Sequence, residues 1–261
     1  MPTPHIEYEQ TGALAFLTFN RPEARNAMTW EMYQALVDYC DQVDATPEVH
    51  VLVLRGAGDK AFVAGTDIAQ FRGFRSGQDG IDYEQRLDAV IDRLERVAIP
   101  TIAQVSGVAT GGGCAIAAVC DLRVCTPTSR FGVPIARTLG NCLSAANYAR
   151  FIDLVGPTRV KDMLYTGRLF SADEALAAGF VNQIVDSDIL DDTVRTMART
   201  IADNAPLTIK ATKEMIRRVQ THRRIEAGEG HDLIATCYSS SDFKEGVEAF
   251  LAKRPPQWRG V

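Results

Sequence analysis

The centre of the chain reads Gly107-Val108-Ala109-Thr110-Gly111-Gly112-Gly113 and runs directly into Cys114-Ala115-Ile116-Ala117-Ala118-Val119-Cys120. This pattern predicts a strand followed by a helix that starts on three consecutive glycines. The glycines leave backbone N–H groups open to a ligand, and the helix dipole favours negative charge at that end. The segment therefore predicts an anion site, for a phosphate or a developing oxyanion, although tight packing of the helix against a strand would also require glycine. No Gly-Lys-Ser/Thr follows and the spacing is not G-x-G-x-x-G, which excludes the two common phosphate loops.

Short strands and helices alternate on either side of this centre. Ala13 to Phe19 and Val51 to Leu54 are apolar runs followed by turn residues, and they predict strands with an amphipathic helix between them. Residues 72–80 are glycine-rich and polar, which predicts a mobile loop beside a functional site. Ser171 and Glu174 have the spacing of a capping box that opens a short helix.

From about residue 188 the pattern changes to helices alone. The predicted helices span 189–204, 206–220, 225–238 and 242–252. Asp242, followed three residues later by Glu245, predicts the start of the last helix. We therefore divide the chain into a core domain, 1–187, and a helical C-terminal subdomain, 188–261.

Composition favours a small-molecule substrate. The 261 residues are 46% hydrophobic, enough for one large core, and a formal charge of -5 supplies no basic surface for nucleic acid or an anionic membrane. Six cysteines without a C-x-x-C pair predict reduced thiols and a cytoplasmic location. The opening Met1–His5 shows no signal peptide, no apolar run is long enough to cross a membrane, and the four histidines have no metal-ligand spacing. We expect no metal.

A second glycine turn connects the central triplet with a known family. Lys60–Ile68 contains Ala64-Gly65-Thr66 after a strand, and together with Gly107–Asp121 it resembles the paired signature of the crotonase (enoyl-CoA hydratase/isomerase) superfamily. The resemblance covers nearly the whole chain. The other segments that carry it are Asn20–Met28, Phe131–Pro134, Thr166–Val181 and Asp242–Gly260.

The resemblance implies an α/β fold, namely a crotonase-like spiral of ββα repeats with a helical C-terminal trimerisation subdomain. It also implies a homotrimer or a dimer of trimers (a hexamer). The substrate would be an acyl-CoA thioester, with coenzyme A as part of the substrate and no permanently bound cofactor.

The same resemblance assigns the binding residues. The backbone N–H groups of Thr66 and Gly112 would form an oxyanion hole for the thioester carbonyl, which is physically sound because two preorganised donors favour an enolate. Arg25 would lie near the CoA phosphates, or be an ordinary solvated arginine, and Asp67 would serve mainly to hold its turn. The implied CoA contacts are Arg25, Ala27, Ala64, Asp67 and Ile68. The sequence leaves open whether Tyr238 or Lys253 from a neighbouring subunit's C-terminal helix completes the pocket.

The sequence departs from this family at the acidic residues. Hydration of a double bond requires groups that activate water and deliver a proton. Typical hydratases have one glutamate two residues after the triplet, where Ala115 stands, and another after the Phe-Gly-Val-Pro segment, where Ile135 stands. A third acidic position, used by some relatives, falls near Ser144. The two-glutamate mechanism is therefore excluded.

Several side chains are candidates for taking over the role of the missing glutamates. Glu84 is the first acid to consider, as an alternative to a solvated helix face, and Ser144 stands at the third acidic position. Arg137 could pair with a carboxylate on a dicarboxylyl-CoA, or form a surface or inter-subunit ion pair. Cys142 could be a nucleophile or a small packed thiol.

The sequence thus predicts an acyl-CoA lyase or isomerase that stabilises a thioester enolate. Isomerisation, hydration or dehydration, decarboxylation, hydrolysis and C–C cleavage all remain open. The alternative is an inactive CoA-binding scaffold, although a scaffold would not need two open glycine turns.

Overall fold

A computed structural model describes residues 3–226 and 228–260. The strands are β1 (Ile6–Thr11), β2 (Leu14–Phe19), β3 (Val51–Gly56), β4 (Ala61–Val63), β5 (Thr101–Val105), β6 (Val108–Thr110), β7 (Leu122–Cys125), β8 (Arg130–Gly132), β9 (Phe170–Ser171) and β10 (Gln183–Ile184). The helices are α1 (Trp30–Asp44), α2 (Gly77–Glu95), α3 (Gly112–Val119), α4 (Ile135–Thr138), α5 (Ala145–Thr166), α6 (Ala172–Ala177), α7 (Leu190–Ala202), α8 (Pro206–Thr221), α9 (His231–Ser239) and α10 (Ser241–Leu251).

Three consecutive strand pairs divide between two sheets. Their first strands, β3, β5 and β7, lie in a sheet of order β1-β2-β3-β5-β7-β10, and their second strands, β4, β6 and β8, lie in a sheet of order β4-β6-β8-β9. Equivalent strands pair in parallel, and a helix follows each pair. Each repeat therefore stacks on the one before it. The predicted spiral of ββα repeats is confirmed.

The inner strands are apolar because both faces of the large sheet are covered. Val51–Leu54 of β3 is fully buried, as expected for a central parallel strand. On one face, Leu190, Val194 and Ala198 recur at helical spacing along α7 and pack against strand residues that include Phe16. The opposite face contributes to the main core, which includes α1, α2 and α3.

The C-terminal region contains the four predicted helices, but the third begins later than predicted. It starts at His231 instead of residue 225. Helix α7 packs on the large sheet, whereas α9 lies along α2 and α10 packs on α9 and α4. The division of the chain at residues 187 and 188 stays a prediction.

The mobile loop predicted over residues 72–80 is wrong. Helix α2 starts at Gly77, behind a capping box formed by Ser76 and Asp79. A Cβ on Gly80 would lie 2.2 Å from Cγ of Tyr238, and one on Gly77 would lie 2.7 Å from the backbone of Ala235. The two glycines therefore allow α2 and α9 to pack closely, and they do not indicate flexibility.

The last helix also begins differently from the prediction. Its cap is Ser240, whose hydroxyl accepts the N–H of Phe243, and not Asp242. The Asp242 carboxylate instead accepts the N–H groups of Arg259 and Gly260, which fastens the C-terminal tail to α10. The capping box predicted at Ser171 is confirmed.

We expect Gly80→Ala to destabilise the protein by about 1–3 kcal/mol, because the added methyl group must displace the Tyr238 ring or move α9. Denaturant unfolding at several protein concentrations would measure the free energy. Gly73→Ala is the matched control, since a Cβ there meets no atom within 4 Å. Equal stability of the two variants would contradict this account of the α2–α9 contact.

Candidate active site

The two glycine turns singled out in the sequence face each other. Gly65 and Gly111 both have positive φ, at 87° and 54°, and the Cα of Gly65 is 3.6 Å from where a Cβ on Gly111 would stand. Met28 bonds to the first turn, donating to Gly65 O at 2.8 Å and accepting from Asp67 N at 2.9 Å. The intervening Thr66 N–H takes no part in this bridge. At the second turn Gly112 is the first residue of α3, so its N–H has no partner within the helix.

Thr66 and Gly112 line one cavity of about 120 Å³. Most of its wall is apolar. The apolar contributors are Ala64, Ile68, Phe71, Leu87, Val133, Pro134, Ile135, Leu139, Leu143 and Phe250, and the polar residues are Thr66, Tyr83, Glu84, Thr110, Thr138 and Asn141. Such a setting strengthens hydrogen bonds from fixed donors to a developing negative charge.

Both sequence interpretations of the central triplet have support. A Cβ on Gly113 would lie 2.1 Å from Val63 O, so this glycine allows α3 to pack against β4. A Cβ on Gly112 would lie 2.5 Å from the Tyr33 hydroxyl oxygen, so this glycine leaves room for Tyr33, and Gly112 itself lines the cavity. Packing thus requires glycine at both positions, and the second of them also borders the cavity.

Three buried hydroxyl groups form a chain beside the first turn. Tyr33 Oη is 2.8 Å and Tyr83 Oη is 2.7 Å from Thr66 Oγ1. Burial raises the pKa of both tyrosines, so all three groups keep their protons. The two hydrogen bonds among these hydroxyl groups use two of their three protons, so the third proton can be donated to another acceptor. Thr66 and Tyr83 both line the cavity, where a ligand could be that acceptor.

Glu84 is the acid of this cavity. Its residue is only 2% exposed, and its carboxylate accepts from Tyr238 Oη at 2.7 Å and from Ser144 N at 3.1 Å. Burial, with a smaller contribution from nearby Asp88, raises the pKa of Glu84 to about 8 and outweighs the two hydrogen bonds that lower it. Glu84 can therefore release or accept a proton near neutral pH, and the solvated alternative is wrong.

Glu84 belongs to α2, whereas the three positions at which the family carries acids belong to α3, α4 and the start of α5. Ala115 is buried in α3, and Ile135 forms part of the cavity wall. Ser144 caps α5, and its hydroxyl donates to Asp88 at 2.7 Å, while its N–H holds Glu84. The carboxylate of Glu84 thus lies directly against the third expected position, although it comes from α2.

Three of the sequence candidates do not line the cavity, namely Ser144, Arg137 and Cys142. Helix α4 presents Ile135 and Thr138 to the cavity, whereas Arg137 is exposed and lies beside Gly167. Cys142 lines a separate surface pocket, and its hydrogen bond with Cys237, together with burial, raises its pKa. Within one chain, therefore, neither Arg137 nor Cys142 reaches the cavity that Thr66, Gly112 and Glu84 line.

The residues implied in CoA binding cluster around the first turn. Arg25 is exposed at a neighbouring pocket that also includes Lys60, and its carbonyl accepts the N–H of Ala64 at 3.0 Å. Ala27 O and the Asp67 carboxylate both bind the Arg21 guanidinium, the latter at 2.8 Å, which agrees with a structural role for Asp67. Ala64 and Ile68 line the cavity.

The two residues expected from a neighbouring subunit have different surroundings. Tyr238 is buried in its own chain, where it holds Glu84. Lys253 is exposed, has a left-handed φ of 55° and does not line the cavity. Tyr238 is therefore placed to position Glu84, not to contact coenzyme A in another subunit.

Sequence reasoning missed Tyr33, which belongs to the hydroxyl chain beside the first turn. It follows Met32 on α1 and belongs to no motif, so only its contact with Thr66 identifies it.

Within residues 3–226 and 228–260, no three potential metal ligands lie together. No helix in these ranges combines the length and the apolar character needed to cross a bilayer.

A stacked ββα spiral with two facing glycine turns beside an apolar cavity defines a protein of the crotonase fold. The family model described as enoyl-CoA hydratase/isomerase matches residues 9–261. The chain therefore belongs to the enoyl-CoA hydratase/isomerase family, and it is an enzyme of the kind that processes acyl-CoA.

Similar proteins span the full length of the chain. A short-chain-enoyl-CoA hydratase of Clostridium acetobutylicum is 33% identical, with 97% of each chain covered. A crotonyl-CoA hydratase of Syntrophomonas wolfei is 34% identical, again with 97% of each covered. A methylmalonyl-CoA decarboxylase complexed with 2S-carboxypropyl CoA is 27% identical, with 100% of each covered and a TM-score of 0.91.

We expect the stability of the protein to depend on the ionisation of Glu84. Because its pKa is higher in the folded than in the unfolded state, ionisation opposes folding, and stability falls by about 1.4 kcal/mol per pH unit from the ordinary carboxyl range up to about 8. Glu84→Gln stays neutral and escapes this loss. Its free energy of unfolding relative to wild type should therefore rise with pH over this range.

The measurement is denaturant unfolding of both proteins across this pH range. Asp82→Asn, at an exposed position on the same helix, is the control and should show no such trend. A constant difference between Glu84→Gln and wild type would mean that Glu84 is ionised throughout.

Proposed function

We propose that this protein catalyses the reversible hydration of an enoyl-CoA through a thioester enolate, with Glu84 as the single acid/base. The observation that carries the proposal is the presence of Glu84 in the same cavity as Thr66 and Gly112. The two similar hydratases, named for short-chain enoyl-CoA and crotonyl-CoA, support this choice of reaction.

The two free N–H groups supply the electrophilic part of the mechanism. The thioester carbonyl oxygen binds between the N–H of Thr66 and the N–H of Gly112, and the dipole of α3 adds to the positive potential there. As negative charge moves onto this oxygen, both hydrogen bonds strengthen without any rearrangement. One such donor is worth about 3 kcal/mol of barrier.

Glu84 supplies the proton transfers. In hydration, the ionised carboxylate takes a proton from water while the water oxygen bonds to C3 and the double-bond electrons move into the enolate. The enolate then collapses as Glu84 returns that proton to C2, which leaves the carboxylate as it began. In dehydration the same steps run backwards, so both directions start from ionised Glu84.

Decarboxylation is the second candidate. The similarity to methylmalonyl-CoA decarboxylase at a TM-score of 0.91 favours it, and it needs only one acid. The C–C bond would break to release carbon dioxide, and protonated Glu84 would then deliver its proton to the α-carbon. Among the described residues that line the cavity there is no Arg or Lys to pair with a substrate carboxylate, which favours hydration.

The remaining properties follow as proposals from the family. We propose a cytoplasmic enzyme, with coenzyme A entering only as part of the substrate, that assembles as a trimer or a dimer of trimers. Exposed apolar side chains along α8, including Leu207, Met215 and Val219, support assembly through this region.

We expect wild type to hydrate crotonyl-CoA and to exchange the α-protons of butyryl-CoA in deuterium oxide. Glu84→Gln should lower both rates by about 10²–10⁴-fold, because no other acid lines the described cavity. Absorbance of the enoyl thioester and mass spectrometry are the two readouts, and Asp82→Asn should leave both unchanged. Binding of CoA thioesters without either reaction would support the scaffold alternative.

We expect the pH dependence to distinguish the two candidate reactions. Hydration requires ionised Glu84, so kcat/KM should rise with pH and level off above about 8. Since the Tyr238 hydrogen bond lowers the pKa of Glu84, Tyr238→Phe should move this rise to higher pH. Decarboxylation requires protonated Glu84 and should instead slow as the pH rises. An unshifted pH profile in Tyr238→Phe would mean that Tyr238 does not hydrogen-bond to the group whose ionisation controls the rate.

A further inference from the structure

A second cavity, here called the side cavity, lies next to the active-site cavity. It has a volume of about 470 Å³ and is formed by the first half of α5, the start of α9 and the segment between α8 and α9. This volume is within the range of about 300–1,000 Å³ that is typical of ligand pockets. The active-site cavity, at about 120 Å³, is well below that range and has room for only a short acyl group.

The two cavities share one wall residue. Among the described residues, Leu143 alone lines both of them. The residues before it alternate between the two sides, since Asn141 lines the active-site cavity and Cys142 lines the side cavity. Directly after it, the N–H of Ser144 binds the Glu84 carboxylate at 3.1 Å. The loop between α4 and α5 is therefore a thin partition, with the catalytic acid on one side and the side cavity on the other.

The electrostatics of Tyr148 agree with a thin partition. Tyr148 lines the side cavity, whereas Glu84 lines the active-site cavity. Burial raises the pKa of Tyr148 to about 12, and Glu84 is one of the neighbouring groups whose charge adds to this effect. The phenol and the carboxyl group thus influence each other across the loop.

The lining of the side cavity suits an aliphatic chain. It includes Ile152, Ile225 and Leu233, which are 41%, 56% and 63% exposed. Two of its three charged residues, Arg223 and Asp153, form an ion pair at 3.4 Å, which weakens the attraction of the cavity for an ionic ligand. Transfer of methylene groups from water to such an apolar surface is favourable.

We propose that the side cavity binds the aliphatic tail of a medium-chain acyl-CoA, and that the side chain of Leu143 is the gate between the two cavities. Leu143 is 8% exposed, and rotation of its side chain between staggered rotamers joins the cavities. The inference rests on the proposed function, which places the reacting end of the acyl group beside Thr66 and Gly112. It extends the substrate range beyond the short-chain-enoyl-CoA and crotonyl-CoA for which the two similar hydratases are named.

A neighbouring subunit is the competing occupant of an apolar surface of this kind. Position favours the acyl tail, because a contact between subunits does not require a wall shared with the active-site cavity. Leu143 provides that shared wall.

The test measures the binding of two thioethers that cannot react, S-butyl-CoA and S-octyl-CoA. By calorimetric titration, wild type should bind S-octyl-CoA about tenfold or more tightly, because the additional methylene groups are buried in the side cavity. Ala149→Trp and Ile152→Trp each place an indole ring in this cavity. Both should reduce the preference to about threefold or less, while the Kd for S-butyl-CoA stays within about threefold of wild type. Ala177→Trp, at an exposed position on α6, is the matched control and should keep the wild-type preference.

Leu143→Ala tests the gate. Without this side chain the tail has nothing to displace, so the preference for S-octyl-CoA should rise by about threefold or more. Adding Ala149→Trp to Leu143→Ala should cancel the rise. That double variant separates passage into the side cavity from a simple loss of contact with S-butyl-CoA. A preference that falls in Leu143→Ala would contradict the role of Leu143 as a gate.

Three further outcomes would overturn the inference. Equal affinity of wild type for the two thioethers would show that the side cavity does not take the tail. A preference retained in both tryptophan variants, whether or not overall affinity falls, would place the tail elsewhere. A changed oligomeric state of both tryptophan variants in analytical ultracentrifugation would identify the side cavity as a contact between subunits.

The proposed function fails separately. Exchange of the α-protons of butyryl-CoA involves no long tail and tests only the enolate step and Glu84. Its absence would refute the proposed function even if the preference for S-octyl-CoA were found. Its presence without that preference would refute only the role of the side cavity.

Discussion

The site depends on the burial of one carboxyl group, that of Glu84. Burying a carboxylate is costly unless hydrogen bonds compensate for lost water, and here the phenol of Tyr238 and the backbone N–H of Ser144 offset only part of that cost. The acid belongs to α2, the phenol to α9 and the N–H to the start of α5. Three distant parts of the chain must therefore pack together before the acid acquires its raised pKa.

The glycines of α2 make this packing possible. Gly80 leaves room for the ring of Tyr238 one turn before Glu84, so the helix approaches α9 closely enough for the phenol to reach the carboxylate. The tail reinforces the loop between α4 and α5, since Trp258 lies against Gly140, next to Asn141. The geometry of the cavity thus depends on residues that never line it.

The sequence predicted the scaffold of the site better than its chemistry. The turns at Gly65 and Gly111 could be predicted because positive φ and close approach restrict these positions to glycine. Glu84 could only be nominated. An acid on an amphipathic helix is usually solvated, and its burial here is caused by Tyr238, which lies more than 150 residues later in the chain. Local pattern cannot encode such a contact, and this also explains why residues 72–80 were predicted as a loop and why Tyr33 was missed.

The separation of the acid from the pocket wall has a consequence for how such an enzyme can diversify. Where the catalytic acids stand on the loop that encloses the acyl group, a change of substrate risks the chemistry. In this chain Glu84 lies on a long helix and accepts the N–H of Ser144, while Ile135, Leu139 and Leu143 form part of the apolar wall. Substitutions at these three side chains can remodel the wall while the Ser144 N–H still holds the proton-transfer group, so specificity can change with less risk to the chemistry.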